Sequence, residues 1–228
     1  MGSGRRRRFM LLGIDSCGGV GSVALAAWEG GEARLLQMRE LAGKTFASDL
    51  IPVVRELLAE QGAVVGDVQA IVVVRGPGSF TGERIGLSTA KGLAEALDVP
   101  VVALSRLALL ARKGGTAAAA LDAGRREMYW GDFSGPGRQE EAERLLAVSD
   151  APAAGQVAVC EDALAELPGA VRVTAPTAWD AIEASLARLQ ADDYEDVASL
   201  DANYVRRSDA ELFGKPVRAG LEHPPAGA

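Results

Sequence analysis

Two short stretches of this chain have residue types suited to phosphate chemistry. The first is Asp15, which follows the apolar residues 9–14 and precedes a glycine-rich turn at 17–21. The second is RGPGSFTGERIG at 75–86, which follows the apolar residues 70–74. A carboxylate at a strand end can hold a metal ion, and a glycine-rich loop at a helix start can surround a phosphate with backbone amides. The spacing of the neighbouring residues tests both ideas.

The second stretch does not match the known phosphate-binding motifs. A Walker-type loop needs GxxxxGK[ST], with a lysine for the phosphate charge and a hydroxyl for magnesium. Here the residue five after Gly76 is Thr81, and Gly82 is followed by Glu83 and Arg84. The dinucleotide fingerprint GxGxxG also fails, because Thr81 stands at the third glycine. An anion could still contact amides at the helix start, but Glu83 in the first turn would repel it.

Asp15 has two interpretations. Phosphate-handling enzymes of actin-like and ribonuclease-H-like folds keep a metal-associated carboxylate at such a strand end, so Asp15 with Ser16 could be a vestigial phosphate loop. In the other interpretation the carboxylate caps the loop amides in an Asx-type turn. The second is favoured because no further carboxylate motif stands at a matching strand end, and it applies equally to Asp122 in the second half.

The chain has few of the histidine and cysteine side chains that metal binding and nucleophilic catalysis commonly need. The chain has one histidine, His223, and two cysteines in different halves, Cys17 and Cys160. These give neither a disulfide framework nor a nitrogen and sulfur ligand set for zinc or iron. The same shortage excludes Ser-His-Asp and Cys-His catalysis. We therefore expect no metal site of that kind and no catalytic residues, although magnesium held by carboxylates alone stays conceivable.

The composition predicts a folded, acidic, cytoplasmic protein without a membrane span. The 228 residues are 48% hydrophobic and carry a net charge of −7, and positions 5–8 are all arginine. The rest of the chain is therefore still more acidic, which makes it a poor stand-alone binder of nucleic acid. The arginines at 5–8 are either an RNA-attracting arm or a tag-like, disordered terminus, and we favour the terminus because no aromatic residues interleave with them.

The apolar pattern predicts a sheet that begins as an antiparallel meander and continues with parallel strands. Three strands come first, followed by two helix–strand steps. Ser48 is the expected N-cap of the first helix, which stops at Gly62. The predicted strands are at 9–15, 22–28, 32–40, 70–74 and 101–104, and the predicted helices are at 48–61 and 81–97.

The second half looks like a looser copy of the first. LLGIDSCGGVGSVALAAW and AALDAGRREMYWGDF both run strand, aspartate, turn, strand. This similarity predicts an N-terminal lobe at 9–105 and a C-terminal lobe at 106–210, followed by a tail at 211–228. Within the second lobe we expect strands at 116–122, 127–133, 155–160 and 170–173 and a helix at 178–190.

Small residues recur every four positions in the predicted helix at 81–97. Glycine inside a helix costs about 0.5–1 kcal/mol relative to alanine, so its presence there needs a reason such as close backbone approach. The approach could be intramolecular, or this face and the preceding helix could dock a second protein. The docking residues would then be Leu50, Val54, Leu57, Leu58, Gly82, Gly86, Ala90 and Leu93.

The chain resembles the TsaB (YeaZ) family of tRNA threonylcarbamoyladenosine biosynthesis proteins. RGPGSFTGERIG carries the resemblance, supported by LLGIDSCGGVGSVAL, SDLIPVVRELL, LDAGRREMYW and YVRRSDA in that order. The resemblance implies an α/β, actin-like ATPase (ribonuclease-H-like) fold with two lobes, each a mixed sheet flanked by helices. It also implies a subunit without catalytic equipment or a cofactor of its own. The alternative is a weak ATP-binding phosphotransferase or ATPase that uses Asp15.

The same resemblance implies partners. The family pairs with its paralogue TsaD, the threonylcarbamoyltransferase, through N-lobe helices of both proteins, and the ATPase TsaE joins the pair. The complex modifies the adenosine beside the anticodon, so tRNA would be bound mainly through the complex, and a nucleotide could lie at the TsaD interface. When alone, the chain could form a homodimer through the same helices, since an apolar docking face is otherwise left in water.

Within the motif, a tight turn is expected to lead from strand to helix. Ser79 or Thr81 would cap the helix, and Arg84 or Arg75 would pair with acidic groups. Two positions depart from the family pattern, Phe46, where many relatives have histidine, and Glu83, where a small apolar residue is more usual. The motif residues are Gly76, Pro77, Gly78, Ser79, Phe80, Thr81, Gly82 and Arg84.

Overall fold

The computed structural model describes residues 9–133, 140–153, 155–203 and 205. The predictions for the terminus at 1–8, the tail at 211–228 and all but Val205 of the YVRRSDA segment lie outside these residues. In the described part, the strands form two five-stranded sheets. The strands of the first sheet are β1 (Met10–Asp15), β2 (Val20–Glu29), β3 (Glu32–Ala42), β4 (Val68–Val74) and β5 (Val101–Leu104).

The first sheet is an antiparallel meander extended by two parallel strands, as predicted. Its order is β3-β2-β1-β4-β5. Strand β1 pairs antiparallel with β2 and parallel with β4, and β4 pairs parallel with β5. All six residues of β1 are buried, because helices cover both faces of the sheet.

Three helices provide this cover. Helices α1 (Phe46–Glu60) and α2 (Phe80–Leu97) pack on one face, where Leu12 and Ile14 of β1 point. The other face, which includes Leu11, is covered by α4 (Ala178–Gln190). Helix α4 falls within the predicted second lobe, whereas its buried side packs on the first sheet. The lobe boundary at 106 stays a prediction, but α4, which comes after this boundary in the sequence, packs on the first sheet.

The second sheet repeats the plan of the first. Its strands are β6 (Ala118–Gly124), β7 (Glu127–Phe133), β8 (Glu140–Ala147), β9 (Val157–Val159) and β10 (Ala170–Arg172). The order β8-β7-β6-β9-β10 corresponds strand by strand to the first sheet, with an antiparallel meander and then parallel strands. Two lobes of similar plan, each a mixed sheet flanked by helices, are therefore confirmed.

Several element predictions were incomplete. Helix α1 begins at Phe46 rather than after Ser48, whose hydroxyl donates to the Thr45 carbonyl at 3.0 Å inside the first turn. Strand β8 and the helix α3 (Arg106–Gly114) were not predicted from the sequence. The sequence contains two signals for α3, a serine before its start and a glycine after its end. In the structure the Ser105 hydroxyl accepts from the amides of Leu107 and Ala108, and Gly115 ends the helix in a left-handed conformation.

Candidate functional site

The RGPGSFTGERIG segment forms the sharp connection from β4 to α2. Gly76 has a φ of +100°, which an L side chain rarely adopts. The Ser79 hydroxyl accepts from the Gly82 amide at 3.2 Å, so Ser79 is the N-cap of α2. The Ser79 amide in turn donates to the Cys17 carbonyl at 2.7 Å. The predicted tight turn and the Ser79 cap are confirmed.

The glycines of this segment let α2 lie directly on the turn that follows β1. A Cβ added at Gly82 would overlap the carbonyl oxygen of Ser16, and one at Gly86 would overlap the Ser16 hydroxyl. A Cβ at Gly78 would overlap the carbonyl oxygen of Cys17. The Ser16 hydroxyl donates to the Gly82 carbonyl at 2.7 Å. The close approach is therefore intramolecular, between α2 and the turn at 16–19.

The residues predicted to dock a partner lie mostly in the protein's own core. Leu50, Val54, Leu57, Leu58 and Ala90 are at most 2% exposed. Gly82 and Gly86 are buried as well, and Leu93 is half-buried. The folded chain cannot offer the buried residues to another protein. The helical pattern marked the face that contacts the sheet, so the prediction of a docking surface at these positions needs correction.

The opposite faces of the same helices are open. Ile51 of α1 is 43% exposed, and Phe80 at the start of α2 is 39% exposed. The guanidinium carbon of Arg84 lies 3.7 Å from the centroid of the Phe80 ring, a cation–π contact. The sides of α1 and α2 that face water thus carry apolar as well as charged side chains.

Asp15 is turned inward and serves the turn that follows it. Its carboxylate accepts from the Cys17 amide at 2.9 Å, and the residue is 1% exposed. Burial raises the pKa of Asp15, while the nearby Arg106 and the Cys17 hydrogen bonds oppose this rise. Asp122 makes the matching contact in the second sheet, accepting from the Gly124 amide at 2.8 Å. Both aspartates thus form the Asx-type turns of the simpler interpretation.

The side chain of Arg106 lies against the same glycine-rich turn, an arrangement that sequence reasoning missed. A Cβ added at Gly18 would be 2.6 Å from its Nη2. Its Nη1 is 4.0 Å from Glu161 Oε1 of the second lobe, and Arg106 is 6% exposed. Burial acts to lower the pKa of Arg106, but the charges of Asp15 and other neighbours outweigh it and raise the pKa. No sequence signal joins Arg106 to Asp15, since only the fold brings them together.

Glu83 occupies the concave side of the glycine-rich loop. A Cβ on Gly76 would be 2.6 Å from the Glu83 carboxylate, which also accepts a backbone hydrogen bond from Gly78. Glu83 is 3% exposed, and its burial raises its pKa to about 7. The protein's own carboxylate therefore takes the place that an anion would need, which is why this loop is not suited to a phosphate.

The two lobes are joined at a second polar cluster. Glu143 of β8 accepts hydrogen bonds from the Ser105 hydroxyl at the start of α3 and from the Asn203 side-chain amide. The backbone amide of Asn203 donates to the backbone carbonyl of Arg75 at 2.8 Å, next to the end of β4. Arg75, the first residue of the motif, thus lies where the first sheet, strand β8 of the second sheet and the segment at Asn203 meet.

Neither a metal-binding cluster nor a membrane-spanning helix occurs among the described residues. Within 9–133, 140–153, 155–203 and 205, no group of three or more His, Cys, Asp and Glu side chains is arranged to hold a metal ion. None of the helices in this part of the chain is long and apolar enough to cross a membrane.

Comparisons with known proteins agree with the sequence motifs. A family model described as "TsaD: tRNA N6-adenosine threonylcarbamoyltransferase" matches residues 38–179, more than half of the chain. The tRNA threonylcarbamoyladenosine biosynthesis protein TsaB of Escherichia coli K12 is 35% identical over 146 residues, 60% of this chain and 62% of that protein. TsaB of Bacillus subtilis 168 is 42% identical over 92 residues, 39% of this chain and 40% of that protein. The chain thus spans about half the length of the curated relatives it matches.

Solved structures extend the similarity over most of the fold. A Pseudomonas aeruginosa protein described as similar to peptidase YeaZ superposes with a TM-score of 0.71 at 29% identity, covering 87% of this chain and 100% of that one. YeaZ from Pseudomonas aeruginosa gives a TM-score of 0.66 at 29% identity, covering 86% and 99%. The fold is therefore the two-lobed α/β fold of the YeaZ structures, with a mixed sheet flanked by helices in each lobe. The chain belongs to the family described by the TsaD model, and within it to the TsaB (YeaZ) group.

Proposed function

We propose that this protein is a non-catalytic subunit of the machinery that makes N6-threonylcarbamoyladenosine in tRNA. Its curated relatives carry the name tRNA threonylcarbamoyladenosine biosynthesis protein TsaB. In this role the chain binds the TsaD transferase and activates it, with TsaE as a further component. Most contacts with tRNA belong to the complex, in keeping with the net charge of −7 on this chain.

The observation that carries the non-catalytic role is the occupancy of the phosphate-loop positions by the protein's own side chains. Asp15 is engaged by the Cys17 amide. Arg106 lies against Gly18, and Glu83 fills the loop at Gly76. These side chains lie where a phosphate or its metal ion would otherwise contact the loops. The geometry therefore favours a scaffold over a phosphotransferase that uses Asp15.

The exposed faces of α1 and α2 are the surface we assign to TsaD. Ile51 and Phe80 are large apolar side chains that the chain's own fold leaves in contact with water. Burial of such side chains favours association, because apolar surface is removed from water, and this gain is partly offset by the freedom that the two partners lose. The same surface would support a homodimer of the isolated chain.

Reconstituted modification tests the proposal. TsaD, TsaE, ATP, threonylcarbamoyl adenylate and unmodified tRNA are combined with or without this chain. We expect threonylcarbamoyladenosine only when the chain is present. Full activity of the other components without it would refute the proposal. Isothermal titration calorimetry of the isolated chain with ATP and magnesium should show no binding at millimolar nucleotide, and measurable binding would favour the phosphotransferase.

The docking surface is tested separately with Ile51→Glu, which places a charge in the centre of the exposed α1 face. We expect co-purification with TsaD to fall at least tenfold while the circular dichroism and thermal midpoint of the chain stay unchanged. The matched control is Val64→Glu, because Val64 is 59% exposed and lies outside both helices. Equal binding of TsaD by both variants would show that the exposed face of α1 is not part of the interface.

A further inference from the structure

The hairpin between β6 and β7 has an unusual turn. Gly124 pairs with Glu127, so the loop consists of Arg125 and Arg126. Both arginines have positive φ, 56° and 63°. This is the two-residue turn whose twist matches the flanking strands, and it strongly prefers Asn-Gly, Asp-Gly or Gly-Gly.

Two consecutive arginines in left-handed conformations are a poor choice for the turn itself. The left-handed region brings Cβ too close to the following carbonyl oxygen, and glycine or asparagine would avoid or reduce this cost. The flanking strands hold the turn in place, since Met128, Tyr129 and Trp130 of β7 are buried. A strained pair that the fold must compensate indicates that the side chains have a use.

The charges of these arginines are not used inside the described part of the chain. Both side chains are exposed, and neither forms an ion pair or a side-chain hydrogen bond within the described residues. Other arginines on the surface are paired, for example Arg144 with Asp132 at 2.9 Å. The turn therefore presents two unneutralised positive charges on a protein that is acidic overall.

A groove runs beside the turn. Its volume is about 860 Å³, and its walls are the turn and the one-turn helices Val148–Asp150 and Asp162–Leu164. The amide of Val148 donates to the Arg126 carbonyl at 2.9 Å and fixes the turn to one wall. Two acidic residues, Asp122 and Glu127, also line the groove. Both acidic residues have a partner already. The Asp122 carboxylate accepts from the Gly124 amide, and Glu127 also takes part in an interaction.

We propose that Arg125 and Arg126 form a contact site for the phosphate backbone of RNA. Guanidinium groups bind phosphates through paired N–H donors, and positively charged contacts of this kind position an RNA without reading its sequence. The choice of RNA rests on the proposed function, which places tRNA in the same complex. The site is on the second lobe, whereas the surface assigned to TsaD is on helices α1 and α2 of the first lobe.

The test replaces the arginines with the residues that the turn prefers. The double variant Arg125→Asn with Arg126→Gly should fold at least as stably as the parent, because it removes the strain. We expect its affinity for total tRNA, measured by filter binding in the presence of TsaD, to fall several-fold. The slope of log affinity against log salt should become shallower by about one for each lost phosphate contact.

A matched control removes two charges elsewhere. Arg34→Gln with Arg112→Gln neutralises two exposed arginines of β3 and α3 and should bind tRNA like the parent. Unchanged tRNA affinity in the turn variant, or an equal loss in the control, would overturn the site. The binding assay involves no modification chemistry, so failure of the proposed function appears in the reconstituted reaction and not in this comparison.

Discussion

At the scale of single residues, Glu83 is a buried acid held against a glycine-rich loop. An ordinary glutamate has a pKa of about 4.3, whereas burial raises that of Glu83 to about 7. The folded state therefore binds this proton more tightly than the unfolded state, and the free energy of unfolding falls as the pH rises from about 4.5 to 7. The full effect is on the order of 3 kcal/mol.

Glu83→Gln should remove this loss, because glutamine keeps an oxygen for the Gly78 amide and carries no charge. We expect the excess of the variant over the parent in free energy of unfolding to grow from pH 5 to pH 8. Urea denaturation at pH 5, 6, 7 and 8 measures the difference. Parallel stability curves for the two proteins would show that Glu83 does not titrate in this range.

Two glycines of α2 give a matched pair for the packing of the motif. Gly82→Ala would force a Cβ into the Ser16 carbonyl, and we expect it to destabilise the protein by about 1–3 kcal/mol or more. Gly92→Ala has no atom within 4 Å of the new Cβ and should stabilise the helix by about 0.5–1 kcal/mol. Thermal unfolding separates them, and a similar small change in both would contradict the close approach.

At the scale of elements, α1 has two faces with different roles. Leu57 is fully buried, whereas Ile51 on the same helix is 43% exposed. Leu57→Ala should cost about 2–5 kcal/mol of stability because it opens a cavity in the core. Ile51→Ala should change stability by less than about 0.5 kcal/mol. Chemical denaturation of both variants checks this assignment, which fails if Leu57→Ala is as mild as Ile51→Ala.

At the scale of the whole molecule, Arg106 joins the first turn to the second lobe. Its side chain lies against Gly18 and approaches Glu161. Its removal leaves the buried Asp15 carboxylate without a nearby cation, and a buried polar group that loses its compensation typically costs about 1–3 kcal/mol. We expect Arg106→Ala to destabilise the protein by this order in thermal and urea unfolding.

The control for Arg106 is the double variant Arg106→Ala with Asp15→Asn. Without Arg106, the pKa of Asp15 should rise further, since Arg106 is a group that lowers it. The single variant should therefore be more destabilised at pH 8 than at pH 5, and the double variant should recover part of the loss at pH 8. No recovery would mean that Arg106 acts through packing alone.

Much of this architecture could be predicted from local patterns. The periodicity of apolar residues indicated nine of the ten strands and three of the four helices of the described chain. The repeated strand–aspartate–turn–strand pattern indicated two sheets of the same plan. Turn chemistry indicated the Asp15 and Asp122 contacts. These features depend on neighbours along the chain, which a sequence displays directly.

The sequence by itself determined the element types, the two-lobed plan, the missing phosphate-loop lysine and the family motif. Only the tertiary structure decided that α4 covers the first sheet and that the apolar face of α1 is core rather than docking surface. It also decided that Arg106 and Glu83 fill the glycine-rich turns. These contacts join residues far apart in the chain, and a helix pattern shows which face is apolar without showing what covers it.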